Sequence, residues 1–156
     1  MLTAISFVLV FGLLVFFHEG GHFLLARYNG ITVHEFSLGM GPKIYSKKGK
    51  ETLYAIRLLP IGGYVQMEGE DEASDKEGSF SKKSPLQRLS VIAAGPIMNF
   101  LLAIVLFMII FAFVGLPVNV IEDFPKESPA YEAGLEIGDE IISINNEKTN
   151  SWDDVV

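Results

Sequence analysis

The stretch His18-Glu19-Gly20-Gly21-His22 stands near the start of the chain, inside a long apolar segment. On an α-helix, residues four apart lie on one face, so the two histidines can hold one metal ion together. Glu19 lies beside them and is a candidate base for a metal-bound water. Imidazole ligands at this spacing indicate zinc, although other divalent metals also accept them. Since ionisable groups are costly in an apolar setting, the motif predicts a metal-dependent hydrolase site.

The setting of this motif predicts a membrane-spanning helix. Residues 2–17 carry no charge and the apolar run resumes at 23–26, so a helix at 1–28 reaches the length of about 20 residues that crosses a bilayer. Residues 91–116 also lack charged side chains, which predicts a second span at 89–116. Buried core helices are the alternative, but a chain of 156 residues has little sequence to cover two of them.

Basic residues are concentrated between the two predicted helices. Ten of the twelve lie there or at the helix edges, and only Lys126 and Lys148 follow the second helix. The positive-inside rule therefore predicts a cytoplasmic middle segment and outward-facing termini. The net charge is −7, and ten acidic residues stand against two basic ones beyond residue 116. Nucleic-acid binding is therefore not expected.

The segment between the helices predicts a β-hairpin at 29–67 and a polar cytoplasmic linker at 68–88. Loosely alternating stretches at 32–38 and 52–58 flank a turn-like sequence, and a strand edge there is a candidate binding site for an unwound peptide. The glycine-rich residues 59–67 either enter the membrane, under cover of protein or a wet cavity, or form an ordinary cytoplasmic loop.

The second helix contains a break in its apolar pattern at Gly95-Pro96-Ile97-Met98-Asn99. Gly95 permits a close approach, Pro96 removes a helical hydrogen bond, and the Asn99 amide can bind a neighbouring helix or an extended peptide. Packing alone is an equal alternative for these three residues. Residues 117–156 then predict a strand, a short helix closed by Gly134 and another strand, which is the start of a small peptide-binding domain.

Several motifs together resemble the N-terminal part of bacterial site-2 proteases, the intramembrane zinc metalloproteases. The resemblance is closest to the group like the regulator of sigma-E protease. The motifs are HEGGH at 18–22, the segments 39–42 and 59–65, GPIMNF at 95–100 and a PDZ-like pattern at 128–139. The expected fold is a mainly α-helical membrane protein with two transmembrane helices, an intervening β-hairpin and the start of a PDZ-like α/β domain.

The resemblance implies a multi-pass protease of the bacterial inner membrane that hydrolyses peptide bonds in or near the transmembrane segments of single-span proteins. It implies Zn²⁺ on His18 and His22, activation of water by Glu19, and a membrane-reentrant hairpin in which Gly39 and Gly41 contribute to substrate binding. Asn99 is a candidate for holding the substrate backbone. The motif then lies near the cytoplasmic side and the PDZ-like part lies outside.

One feature departs from the family pattern. A catalytic zinc normally has three protein ligands, and the family's third is an aspartate on a later transmembrane helix. None of the six Asp residues of this chain lies in an apolar helical run. We therefore expect the N-terminal part of a longer protease. The alternatives are an inactive membrane adaptor that binds peptides through the hairpin and PDZ-like part, and a soluble zinc protease.

Overall fold

A computed structural model describes residues 2–115, 118–123, 125 and 128–155. It divides into two units, residues 1–107 and 108–156. The regular elements are α1 (Leu2–Tyr28), β1 (Val33–Lys48), β2 (Leu53–Met67), α2 (Pro85–Val114), α3 (Pro129–Glu132), β3 (Ser143–Ile144) and β4 (Glu147–Lys148), with 3₁₀ turns at Phe80–Lys82 and Trp152–Asp154.

Helices α1 and α2 have 27 and 30 residues and are long and apolar enough to cross a membrane. Their most apolar windows are almost entirely exposed, and Phe113, for example, is 88% accessible. A core helix of a soluble protein would bury such side chains instead. The prediction of two long apolar helices with a β-hairpin between them is therefore confirmed.

Helix α2 begins at Pro85, four residues before the predicted start at 89. The Ser84 backbone N–H donates to Gln87 Oε1 at 3.0 Å, and the Gln87 N–H donates to Ser84 Oγ at 3.3 Å. This reciprocal cap, with proline in the first turn, starts the helix inside the stretch assigned to the linker. The predicted end at 116 lies outside the described residues, whereas the described helix ends at Val114.

The linker before α2 is attached to the hairpin by backbone hydrogen bonds. The Glu68 N–H donates to Thr32 O at 2.9 Å, the Thr32 N–H to Gly78 O at 2.9 Å, and the Phe80 N–H to Glu68 O at 2.7 Å. Ser79 is fully buried. This polar, acidic segment is therefore ordered against the start of β1.

Strands β1 and β2 each contribute two segments to one sheet. The segments lie in the order 43–48, 53–57, 33–38 and 63–67. The outer pairs run antiparallel, from Lys43↔Arg57 to Lys48↔Leu53 and from Val33↔Met67 to Leu38↔Gly63. In the central pair the residue numbers rise together, from Glu35↔Leu53 to Leu38↔Ile56, so these segments run parallel.

The bend in β1 requires glycine. Gly39 and Gly41 have φ values of 84° and 82°, which L side chains rarely adopt. A Cβ at Gly39 would also lie only 2.5 Å from Leu59 O. These two glycines therefore turn β1 so that both of its halves pair with β2.

A buried carboxylate holds the bend together. Glu35 is 7% exposed, and its oxygens lie 2.7 Å from Lys43 Nζ, Arg57 Nη2 and the Tyr64 hydroxyl. Burial raises the pKa of Glu35, but these three hydrogen bonds outweigh it and hold the pKa at about 2. The Arg57 guanidinium also donates to Ser37 Oγ at 2.9 Å and to Gly41 O at 2.6 Å. This network ties all four segments of the sheet together.

The hairpin packs on the C-terminal half of α1 through apolar side chains. Phe36 contacts Phe23 with ring centroids 5.3 Å apart and Phe16 with centroids 6.4 Å apart. The core of this unit consists of Ala26, Ile31, Val33, Val65, Met67 and Val91. Burial at this contact fixes the sheet beside the helical turns that carry the histidines.

The second unit contains short antiparallel pairings. Val120 pairs with Glu140, and the Ile141 N–H donates to Asn119 O at 2.8 Å. Ser128 caps the four-residue α3, and Gly134 follows it at a φ of 87°. The short helix lies at its predicted place, whereas the two predicted strands are reduced to the bridge at Val120 and Glu140 and to the two-residue β3. The PDZ-like, peptide-binding character of this unit stays a prediction.

Candidate metal centre

Helices α1 and α2 approach at backbone distance where Gly21 meets Ala94. A Cβ on Gly21 would lie 2.5 Å from Ala94 O, so only glycine permits this contact. Gly21 and Ala94 are both buried. Since His18 and His22 flank Gly21 on the same side of α1, the close contact directs both imidazoles at α2.

The two imidazoles converge on Gly95 of α2. A Cβ at Gly95 would lie 2.8 Å from His18 Nε2 and closer still to His22 Nε2. The ring centroids are 4.9 Å apart. The missing side chain of Gly95 thus makes room for both Nε2 atoms against the same point of α2, and two imidazole nitrogens brought together in this way can ligate one ion.

The hydrogen bond of His22 favours metal binding. His22 Nδ1 lies 2.8 Å from the carbonyl oxygen of Val91. Because a carbonyl only accepts, Nδ1 carries the proton and Nε2 keeps its lone pair toward Gly95. His18 Nδ1 lies 3.3 Å from the Asn99 amide nitrogen.

The donor set fits zinc at two of its positions. Neutral imidazole nitrogens are preferred zinc ligands, and both rings are half-buried. Among the residues that the structure describes, no group of three His, Cys, Asp or Glu side chains could hold a metal ion. The described part of the chain therefore offers two candidate ligands and no third.

Glu19 lies on the neighbouring face of α1, against the glycine-rich end of β2. A Cβ at Gly63 would lie 2.9 Å from Glu19 Cγ and 3.0 Å from Val15 Cγ1. A cleft of about 640 Å³ opens here, lined by Glu19, His22, residues 63–67, Glu70, Asp71, Val91 and Ile92. Burial and the nearby Asp71 carboxylate raise the pKa of Glu70. The carboxylate of the motif and one of its histidines thus share a single open cleft.

The strand segment that borders the cleft is 63–67. Five consecutive residues line the cleft, which means that the backbone edge of the segment faces it. Within the described residues, 63–67 pairs only with 33–38, while 33–38 and 53–57 have neighbours on both sides. The other outer segment, 43–48, lies within residues 32–58 and does not line the cleft. The prediction that residues 32–58 supply the peptide-binding edge stays a prediction, and the second pairing of β1 adds 63–67 as a further outer edge beside Glu19.

The structure brings four of the predicted site residues together: His18, Glu19, His22 and Asn99. Gly39 and Gly41 lie instead at the bend of β1 and do not line the cleft. Sequence reasoning missed Gly63, which makes room for Glu19. A glycine inside a strand pattern indicates that another group approaches the backbone closely, and the Gly62-Gly63 pair is such a signal.

The chain is similar to known proteins over most of its length. The sequence profile of peptidase family M50 matches residues 6–152. A Clostridium acetobutylicum protein with a zinc metalloprotease name is 47% identical over 148 residues, which are 95% of this chain and 44% of that protein. The regulator of sigma-W protease RasP of Bacillus subtilis is 34% identical over 237 residues, covering 99% of this chain and 56% of that protein.

A zinc metalloprotease RasP of Geobacillus kaustophilus is also 34% identical, with 99% of this chain and 56% of that protein covered. The chain thus spans about half the length of the curated relatives it matches. The profile match extends over nearly all of the chain, and it confirms the resemblance to site-2 proteases. The chain belongs to peptidase family M50.

Proposed function

We propose that this chain is the N-terminal part of an intramembrane zinc metalloprotease that cleaves membrane-spanning proteins in or near their transmembrane segments. The observation that carries the proposal is the convergence of His18 Nε2 and His22 Nε2 on the space at Gly95, with Glu19 in the adjoining cleft. The family membership and the zinc metalloprotease names of the relatives support it.

Each residue of the motif has a separate task in the proposed reaction. His18 and His22 hold the ion, and Glu19 takes a proton from the attacking water and returns it to the leaving amine. Bound zinc lowers the pKa of its water toward about 7 and polarises the scissile carbonyl. Glu19 is half-buried against Gly63, which restricts its side chain to the cleft.

The edge segment 63–67 is the proposed docking site for substrate. A transmembrane helix must unwind before its peptide bond can be attacked, and unpaired backbone groups are costly in hydrocarbon. An extended peptide added to the edge 63–67 would regain those hydrogen bonds beside Glu19. The substrate is therefore proposed to bind as an added strand between this segment and α2.

The proposed location is the bacterial inner membrane, with both long helices spanning it. The basic residues between the helices support a cytoplasmic hairpin and linker, with the acidic C-terminal part outside. A third zinc ligand is expected from the family's later transmembrane aspartate, as the resemblance implies. The PDZ-like role of residues 117–156 remains part of this proposal.

The proposal is tested on the longer protein that contains this chain, by its zinc content after purification in detergent and by its cleavage of a co-expressed single-span membrane protein in cells. We expect zinc to be bound by the wild type, retained in Glu19→Gln and lost in His22→Ala. His34→Ala is the matched control, because this histidine lies on the hairpin against Glu68, at 2.8 Å, and away from the other two. Cleavage is expected to be lost in both Glu19→Gln and His22→Ala.

Two outcomes would contradict the proposal. If the wild-type protein contained no zinc, there would be no metal centre at these histidines, and if cleavage survived Glu19→Gln, this carboxylate would not be the base. Zinc binding without any cleavage, in cells that hold the whole protein, would favour the inactive membrane adaptor instead.

A further inference from the structure

The two histidines present the same nitrogen to Gly95, but different groups hold them there. The carbonyl of Val91 faces His22 Nδ1, whereas the side-chain amide of Asn99 faces His18 Nδ1 at 3.3 Å. A carbonyl only accepts, so the proton of His22 is settled. An amide can donate or accept, so its orientation decides which nitrogen of His18 carries the proton.

Asn99 Oδ1 is buried, and it has no hydrogen-bond partner among the described residues. The oxygen and nitrogen of an amide have nearly the same shape, so a half-turn exchanges them without disturbing the packing. After that turn, Oδ1 stands 3.3 Å from His18 Nδ1 and accepts its proton. In the opposite orientation the amide donates, and the His18 proton moves to Nε2, where it blocks the ligand position.

We propose that Asn99 is a positioning residue for His18: its side-chain oxygen accepts the Nδ1–H bond and keeps Nε2 free to bind the metal. This inference rests on the proposed zinc function. The two imidazoles are then held in the same way, because α2 supplies one hydrogen-bond acceptor to each: the Val91 carbonyl to His22 and the Asn99 amide oxygen to His18. Outer partners of this kind typically contribute about 10–100-fold to metal affinity.

The test measures zinc affinity by chelator competition in detergent for the wild type, Asn99→Asp, Asn99→Leu and Ser90→Ala. Aspartate can only accept at neutral pH, so Asn99→Asp is expected to bind zinc at least as tightly as the wild type. Leucine has a similar branched shape without an acceptor, and Asn99→Leu is expected to bind zinc about 10–100-fold more weakly. Ser90→Ala is the matched control, because it removes the 3.1 Å bond from Asn29 without touching the imidazoles.

A second measurement does not depend on any variant of Asn99. The ¹⁵N spectrum of histidine-labelled, metal-free wild type is expected to show the Nδ1–H tautomer for His18, assigned by its loss in His18→Ala. An Nε2–H tautomer overturns the proposal. Three results of the affinity measurement would also overturn it. They are a wild-type zinc affinity in Asn99→Leu, an equal loss of affinity in Asn99→Asp and Asn99→Leu, and a loss of the same size in Ser90→Ala.

These results separate the inference from the function on which it rests. If the wild type binds no zinc, the proposed function fails, and the tautomer of His18 still decides the role of Asn99. If the wild type binds zinc and Asn99→Leu binds it equally well, the function stands and the positioning role falls.

Discussion

Replacing Gly95 by alanine should remove metal binding while leaving the helices assembled. The added Cβ would lie 2.8 Å from His18 Nε2 and 2.9 Å from His18 Cε1, and closer to His22 Nε2. Ordinary contacts between such atoms begin at about 3.5 Å, so the rings must move by roughly 1 Å. Metal sites tolerate changes of only about 0.2 Å in ligand distance.

This displacement exceeds the tolerance of the site several times over. We therefore expect Gly95→Ala to weaken zinc binding by more than about 100-fold, which corresponds to about 2.7 kcal/mol. The imidazoles are the ends of flexible side chains, so they can rotate away, and the backbone contact of Gly21 with Ala94 O is untouched. The loss should appear in metal affinity and not in the thermal unfolding of the metal-free protein, because bound metal itself stabilises the folded state.

The assay compares zinc affinity and unfolding temperature for Gly95→Ala and Gly20→Ala in detergent. Gly20 lies between the two histidines, and a Cβ added there meets nothing within 4 Å. Gly20→Ala should therefore keep its zinc and gain up to about 1 kcal/mol of helix stability. Wild-type zinc affinity in Gly95→Ala would refute the convergence of the two Nε2 atoms on this glycine.

Two further variants address the hairpin. Burial raises the pKa of Glu35, but its hydrogen bonds hold that pKa at about 2. The stabilisation by the Glu35 carboxylate is therefore complete above about pH 4.5 and is lost as the pH falls toward 2. Glu35→Gln should remove this acid-sensitive stabilisation and lower the free energy of unfolding at neutral pH by roughly 3 kcal/mol. Glu51→Gln, in an exposed ion pair, should change that free energy little. Equal unfolding curves for the two variants would contradict the role of the Glu35 network. Gly63→Ala places a Cβ 2.8 Å from Ser37 O and 2.9 Å from Glu19 Cγ, so the rate of cleavage should fall while the zinc content is kept. Unchanged cleavage would show that the position of Glu19 does not depend on this strand.

The features that the sequence predicts well are those encoded locally. The long uncharged runs predict α1 and α2, because a helix needs no partner to satisfy its backbone in an apolar environment. The turn near residue 49 is also local, and the Gly49 N–H donates to Thr52 O at 2.8 Å as a tight hairpin requires. The spacing of His18 and His22 places both rings on one face by helical geometry alone.

The features that sequence reasoning missed depend on distant parts of the chain. No local pattern states that residues 33–38 pair on both sides, with 53–57 and with 63–67. That double pairing decides which segment lies outermost and therefore which backbone edge reaches Glu19. Register of this kind is set by packing against α1 and by the bend at Gly39, and both are tertiary effects.

The start of α2 is a different case, since its signal was present in the sequence. Ser84-Pro85-Leu86-Gln87 is a capping box with proline at the first helical position, and it precedes the long apolar run by several residues. The predicted helix start missed this capping box because the span was taken from the uncharged stretch, and the charged Arg88 lies before that stretch. A helix can begin outside the membrane and then enter it, so hydropathy alone sets its end points too narrowly.

The residues around the motif on α1 face three different neighbours, which pack on different sides of this helix. At about 100° per residue, successive positions turn from one neighbour to the next. Gly21, His18 and His22 face α2, Val15 and Glu19 face Gly63 of the edge segment, and Phe16 and Phe23 face Phe36 of the sheet.

The proposed ligands and the proposed base therefore lie on adjacent faces of α1, beside the cleft. A peptide placed between α2 and the edge 63–67 would lie against both of these faces. Both neighbours approach through glycine, Gly21 toward Ala94 and Gly63 toward Glu19, so backbone distances set the width of the site. Side chains at these glycines would push α2 or the edge segment away from α1 and widen the site, even with His18, Glu19 and His22 all present. The short motif thus specifies chemistry only where α1 packs between these two surfaces.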